Sequence, residues 1–359
     1  MSDRATLMKI LDVARWAPSG DNTQPWRFEI CSENHLVVHG FDTRDWCVYD
    51  FRGYASQMAH GALLETLRLA ATEHGLDAEW TLRSGSAEHL PIYDVVLSPS
   101  SARSVDPLLQ YVKTRCVQRR PMRMRALSNS QKSALCASVG EGFELRCFET
   151  LRERLGVAQL LWANAKIRLT CQEAFEVHRR IIMWGETFSE YGIPERAVGV
   201  GPVTARLMRW VMGSWQRVEF FNRYLAGTIA PRIQLDVIPA LACSAHLMVQ
   251  AQTRLDSVVD RVRAGVAMQR LWLTAAEQGL HLQPEMTPVI FRWYARTNSP
   301  ISSAPGHNAA AEALSERLEE MGGIDQAQTL AFFCRVGVST VPTSRSVRLP
   351  LEALMQHPS

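Results

Sequence analysis

The hydrophobic pattern divides the chain into alternating helical and extended stretches. In residues 3–16, Leu7, Ile10, Leu11 and Ala14 recur at helical spacing on one face, and Pro18 stops that helix. Residues 27–31 and 35–40 read as a short hairpin. A strong helix over 55–75 closes at Gly75, and 80–83 and 93–97 read as strands. Residues 106–120 are expected to be helical up to Pro121, followed by a helix over 128–138, a strand near 143–148 and helix again through 151–190. Residues 191–235 are rich in Gly, Met, Trp and Arg and fit no simple period. An apolar stretch covers 238–250, a second strong helix runs from 256 to 279, and strands are expected at 287–295 and 330–338.

The two strong helices share a sequence. Residues 61–76, GALLETLRLAATEHGL, and 265–280, GVAMQRLWLTAAEQGL, align at a constant offset of 204 with seven of sixteen positions identical. Amphipathic helices converge on Leu and Ala, and a helix C-terminus favours glycine. Neither tendency accounts for a glycine at both ends in one register. The pattern is that of one unit doubled, since solenoid arrays use shorter periods and more copies.

Composition narrows the class. The 359 residues are 47% hydrophobic and 21% charged, enough for a sizeable core. A net charge of +3 is too small to indicate a nucleic-acid partner. No uncharged apolar run reaches membrane-spanning length, and charges at Asp3, Arg4, Lys9 and Asp12 interrupt any signal-like stretch. The eight cysteines form neither C-x-x-C pairs nor zinc spacings, so a reducing, cytoplasmic location and no metal are expected. Only Lys9, Lys113, Lys132 and Lys166 are lysines among 39 basic residues. Guanidinium forks match phosphate oxygens. There is no H-E-x-x-H, G-x-S-x-G or G-x-G-x-x-G, and no catalytic side chain is assigned. His246 and His281 stand near the expected site but read as packed or solvated.

The run Ala17-Pro-Ser-Gly-Asp-Asn-Thr-Gln-Pro-Trp26 ends the first helix in a turn and places Ser19, Asn22 and Gln24 before a strand. These side chains offer donors and acceptors with little charge. The run resembles the signature of the FMN-dependent nitroreductase family. The Leu-x-Leu-x5-Gly-Leu helix is similar to that family's central helix, as are Arg335-Val-Gly-Val and Arg348-Leu-Pro-Leu-Glu-Ala-Leu. The likeness covers most of the chain except roughly 175–235, and its order is similar to that of the long single-chain, dormancy-associated members.

That resemblance implies an α+β nitroreductase fold with two pseudo-symmetric halves fused in one chain. The first, 1–110, carries the Pro-Ser loop. The second, 111–359, carries a phosphate clamp and a lid insertion at 175–235, whose aromatic and methionine side chains suit a planar ligand. Family members are homodimers with FMN between subunits, so a fused chain is expected to bind one FMN and to be a monomer or weak homodimer. Carried over residue by residue, Ser19, Asn22 and Gln24 are the flavin loop. Arg115 and Arg119 of Arg-Cys-Val-Gln-Arg match the clamp, with Val117 where the family has a hydroxyl. Arg348, or Arg345 in another register, is a further phosphate ligand. Gln283, Pro284, Glu285 and Met286 form a loop whose backbone N–H lies beside flavin N5. The implied activity is hydride transfer through FMN to a small nitro, quinone-like or other aromatic acceptor, with NAD(P)H as transient reductant and neither membrane nor nucleic acid as partner. A biosynthetic FMN dehydrogenase or oxidase, and a non-enzymatic FMN-storing or sensing protein under a closed lid, remain open beside it.

Overall fold

The computed structural model describes residues 3–101, 104–325 and 329–356. Helix α1 (Arg4–Ala14) starts at Asp3, whose side chain accepts from the Thr6 amide and so satisfies a free N-terminal N–H. After an eleven-residue loop come β1 (Trp26–Ser32), β2 (His35–Gly40), α2 (Tyr54–Thr72), β3 (Leu76–Leu82) and β4 (Ile92–Pro99). Next are α3 (Asn129–Ser138), β5 (Phe143–Phe148), α4 (Leu151–Thr170), α5 (Gln172–Ile181), α6 (Pro202–Val211) and α7 (Trp215–Tyr224). Then come β6 (Ala245–Ala251), α8 (Val258–Glu277), β7 (His281–Pro284), α9 (Thr287–Arg296), α10 (Pro305–Gly322) and β8 (Thr329–Gly337).

These eight strands form two antiparallel four-stranded sheets. Their orders are β1-β2-β4-β3 and β5-β6-β8-β7, the same path through each set of four. Each sheet packs into its own hydrophobic cluster, and the central helices α2 and α8 lie against one another. Their contact repeats the 204-residue offset. A Cβ built on Gly61 would lie 1.9 Å from the Val262 carbonyl oxygen, and one on Gly265 would lie 1.9 Å from the Met58 carbonyl oxygen. Both glycines therefore let backbone meet backbone. Gln269 donates to Thr66 Oγ1 at 2.9 Å, and the offset counterpart of that pair, Arg270 with Glu65, closes at 2.7 Å. Leu69 and Leu273 meet in a small cluster with Leu108 and Val112.

The sets differ in their connections. A tight turn joins β1 to β2, whereas residues 149–244 run between β5 and β6 and hold α4 to α7. The C-terminal segment returns to the first half: Leu351 and Leu354 are buried in its core, and Phe28 bridges to Met355. No helix among the described residues is long and apolar enough to cross a membrane.

Several expected elements differ. Residues 106–120 hold only a 3-10 turn, Pro107–Tyr111. Beyond it the chain runs extended beside β7, where Val117 bridges to Leu282 and the Gln118 amide donates to the Leu282 carbonyl. Sheet pairing there overrides local helical preference. Residues 287–295, expected as a strand from their β-branched and aromatic content, form α9. Pro288 lies in its first turn, where a missing amide costs nothing, and burial of Val289, Ile290, Phe291 and Trp293 decides the rest. Residues 191–235 are largely helical and include a π-helical turn, Arg232–Val237. Helix α10 and strand β7 form where the hydrophobic pattern gives no element.

Candidate active site

A cavity of about 430 Å³ lies where the two halves and the long connection meet. Met58 and Ala59 of α2 and Met268 and Trp272 of α8 line it. The loop after α1 contributes Pro18, Ser19, Gly20 and Asp21. The end of β7 and the start of α9 contribute Gln283, Pro284, Glu285, Met286 and Thr287, and Arg335 enters from β8. The long connection contributes residues that include Asn164, Arg168, His178, Met208, Met212 and Asp236. A largely apolar lining with a few fixed polar groups is the usual make-up of a small-molecule site.

The Pro-Ser loop is held in an unusual backbone conformation. Asp21, Asn22 and Gln24 have φ of 49°, 58° and 50°, a region that Asn and Asp enter more readily than most residues. Ser19 Oγ accepts from the Gln24 amide at 2.9 Å and ties the loop together. Asn22 and Gln24 do not line the cavity. Asn22 donates to the carbonyls of Glu190 and Val347, and Gln24 donates to that of Glu190 and accepts from the Leu349 amide. Both fasten the loop to the long connection and the C-terminal segment. Ser19 does line the cavity, as does Asp21, whose carboxyl burial pushes up to about 6 despite the nearby Arg119.

The arginines divide into two groups. Arg115 and Arg348 both donate to the Trp16 carbonyl, at 2.9 and 3.3 Å, and Arg348 also donates to Ala17 at 3.0 Å. Arg345 donates to the Lys113 carbonyl and lies over the Trp16 ring. None of these three forms an ion pair with a described carboxylate, and the buried Nε of Arg115 has no partner. Burial holds the Arg348 guanidinium well below its ordinary range, and Arg115 and Arg345 depress it further. The group adjoins the cavity through Trp272, whose ring faces Arg115 with its guanidinium carbon 4.5 Å from the centroid. Arg119 is separate: it lines the cavity, donates to the Ala197 carbonyl and faces Asp21.

Behind Glu285 lies a buried charge network. His246 Nδ1 is 2.7 Å from Glu285 Oε2, and its Nε2 is 2.9 Å from the Ala240 carbonyl. With an acceptor at each nitrogen, the ring serves as a double donor and carries charge. Burial alone would lower its pKa, but the Glu285 carboxylate outweighs that and raises it. Arg335 donates to Glu285 Oε1 at 3.0 Å and to the Arg119 carbonyl at 2.8 Å. Two cations on one carboxylate leave a fixed positive charge in the cavity wall. The Glu285 amide donates to the Phe333 carbonyl at 2.8 Å and is used by the sheet, and Pro284 has no amide hydrogen. The Gln283 and Glu285 side chains add polarity to this loop, and Met286 adds an apolar side chain. The sequence alone does not single out His246, because its partner Glu285 lies 39 residues away and no local motif joins them. The cavity also gains Asp21, Asn164, Arg168 and Asp236, of which only Asp21 lay within a recognised motif.

Residues 3–44 match the nitroreductase family. An uncharacterized protein of Mycobacterium tuberculosis is 24% identical over 303 residues, covering 82% of this chain and 40% of the relative. The chain thus spans well under half that relative's length. Among solved structures, an FMN-dependent nitroreductase from Mycobacterium smegmatis in complex with NADPH aligns at 12% identity and a TM-score of 0.38, covering 70% of this chain and 98% of its own. A nitroreductase-like protein from Bacillus cereus aligns at 10% identity and 0.35, covering 72% and 99%. The segment similar to the nitroreductase family, residues 3–44, includes Pro18, Ser19, Gly20 and Asp21 of the cavity lining.

Proposed function

We propose that the protein is an FMN-dependent oxidoreductase in which two fused halves build one flavin site, with residues 175–235 as a lid. The observation that carries the reading is the group of Arg115, Arg345 and Arg348. Three guanidinium groups converge beside an apolar cavity with carbonyls, and no described carboxylate, as their partners. Like charges held together in a buried place raise one another's energy, and a phosphate would relieve that and occupy the free Arg115 Nε–H. The residues present fit the phosphate end of FMN.

When bound, FMN would supply hydride transfer through its N5 position, with NAD(P)H as reductant and a small nitro, quinone-like or other aromatic molecule as acceptor. The chain's own contribution is binding, exclusion of water and electrostatics. Met58, Met268, Met208 and Met212 give the cavity adaptable apolar walls. Gln283 Oε1 and Arg335 Nε are buried at the cavity without a partner, so an acceptor and a donor remain for a polar ring edge. The positive charge of Arg335, Glu285 and His246 favours negative charge developing in the cavity. His178 cannot act as a proton donor near neutral pH: burial and then Arg168 lower its pKa to about 3.

The test is anaerobic NADPH addition to the FMN-loaded protein, followed by visible absorbance in a stopped-flow instrument. Rapid bleaching in the intact chain is expected. A silent intact chain beside a lid-shortened variant that bleaches fast would replace the enzyme reading with FMN storage.

A further inference from the structure

The side of the cavity formed by the long connection carries polar groups that the phosphate cluster and the Glu285 network do not use. Asn164 and Arg168 lie one turn apart on α4, on the same helix face, and both line the cavity. Asn164 is 1% exposed. Its Nδ2 donates to Thr287 Oγ1 at 2.7 Å, and its Oδ1 is buried with no partner. Arg168 Nη2 donates to Asp236 Oδ1 at 2.6 Å, while its Nε–H is buried with no partner. Asp236 itself belongs to the π-helical turn, a form that often marks functional positions. The wall thus presents one unused acceptor and one unused donor, where buried polar groups are almost always paired.

We propose that this wall is a recognition subsite for the carboxamide of a planar aromatic ligand. The ligand carbonyl would accept from Arg168 Nε–H, and its N–H would donate to Asn164 Oδ1. A carboxylate has no N–H to offer Asn164. Its charge would also find Arg168 already neutralised by Asp236, and His178 beside it uncharged. Leu161, Ile290, Met208 and Met212 line the same cavity and supply apolar surface for the ring. The inference deepens the flavin reading by naming what shares the cavity with the cofactor. Two sources carry the group: an aromatic amide substrate, and the nicotinamide end of the reductant.

The test is calorimetric titration of the FMN-loaded protein with 4-nitrobenzamide and 4-nitrobenzoate, which share a ring and differ in the recognised group. The amide should bind about tenfold more tightly, the scale of one well-made hydrogen bond. Equal affinity, or tighter binding of the acid, overturns the subsite. Asn164→Leu should erase the preference while FMN content, read from visible absorbance, stays as in the parent. If that variant does not fold, the matched pair on the parent protein decides alone. A raised KM for NADPH in Asn164→Leu assigns the group to the reductant, and an unchanged one assigns it to the substrate. A chain that takes up no FMN refutes the oxidoreductase reading instead, and the same titration on the flavin-free protein still decides the subsite.

Discussion

Arg115 and Arg119, four positions apart in one motif, end in different surroundings. Arg115 joins Arg345 and Arg348 around the carbonyls of Trp16 and Lys113, whereas Arg119 faces Asp21 in the cavity. Phosphate selectivity should follow that division. Arg115→Ala and Arg348→Ala are expected to weaken FMN binding by about 1.5–3 kcal/mol, the scale of a hydrogen bond to a charged group, and to leave riboflavin nearly unaffected. Arg119→Ala should leave the ratio of the two affinities unchanged. Fluorescence titration with both flavins checks this, and equal losses for both in Arg115→Ala would make that arginine structural. Asp21 gives a pH signature. Its carboxyl is raised from 3.8 to about 6 in the folded chain, so folding favours its protonated form. That contribution is fully present below the unfolded value and is lost as pH rises through about 6. In the flavin-free protein, the parent chain should lose melting temperature relative to Asp21→Asn between about pH 4 and pH 7. Parallel profiles would show that the loop carboxyl is solvated.

At the scale of elements, the α2–α8 contact joins the halves and depends on two glycines. A methyl group on Gly61 would meet a backbone oxygen, which cannot move aside as a flexible side chain can. Gly61→Ala should therefore cost about 3 kcal/mol or more, at or above the usual overpacking range. Gly75 is the comparison. It ends α2 with φ of +66° and open space around it, so Gly75→Ala should cost only about 1 kcal/mol, from backbone strain. Urea unfolding of both variants measures the difference. Similar midpoints would mean that the helices do not meet as closely as described. The same contact shows how far periodicity could go. It located both helices and their shared register, yet it missed that 287–296 is helical and 115–119 extended. Those two segments are set by what they pack against: a core pocket for Ile290 and Phe291, and the edge of β7 for Val117 and Gln118.

At the scale of the whole molecule the two halves are alike in path and unequal in equipment. The loop between α1 and β1 has eleven residues and reaches the cavity. Its counterpart between α3 and β5 is only Val139–Gly142, too short to make a second such loop. The long connection that roofs the cavity is present in one half alone. The chain should therefore bind about one FMN, as measured by released flavin against protein concentration at saturation. Two flavins per chain would refute the single-site architecture.

Local sequence determined the doubled helix with its paired glycines, the turn-forming Pro-Ser loop and most strand positions, because these depend on residues near one another along the chain. It also marked Ser19, Asn22, Gln24, Arg115, Arg119, Pro284, Glu285, Met286, Arg345 and Arg348 as candidates, through motifs that a family resemblance made readable. Tertiary structure alone decided their surroundings. It turned Asn22 and Gln24 into fasteners of the loop, separated Arg119 from Arg115, and set His246 and Arg335 on either side of Glu285. It also brought Asn164 and Arg168 to Thr287 and Asp236. The physical reason is range. Periodicity and capping act over a few residues, whereas a buried side chain takes its charge and its function from partners that only packing brings within 3 Å or so.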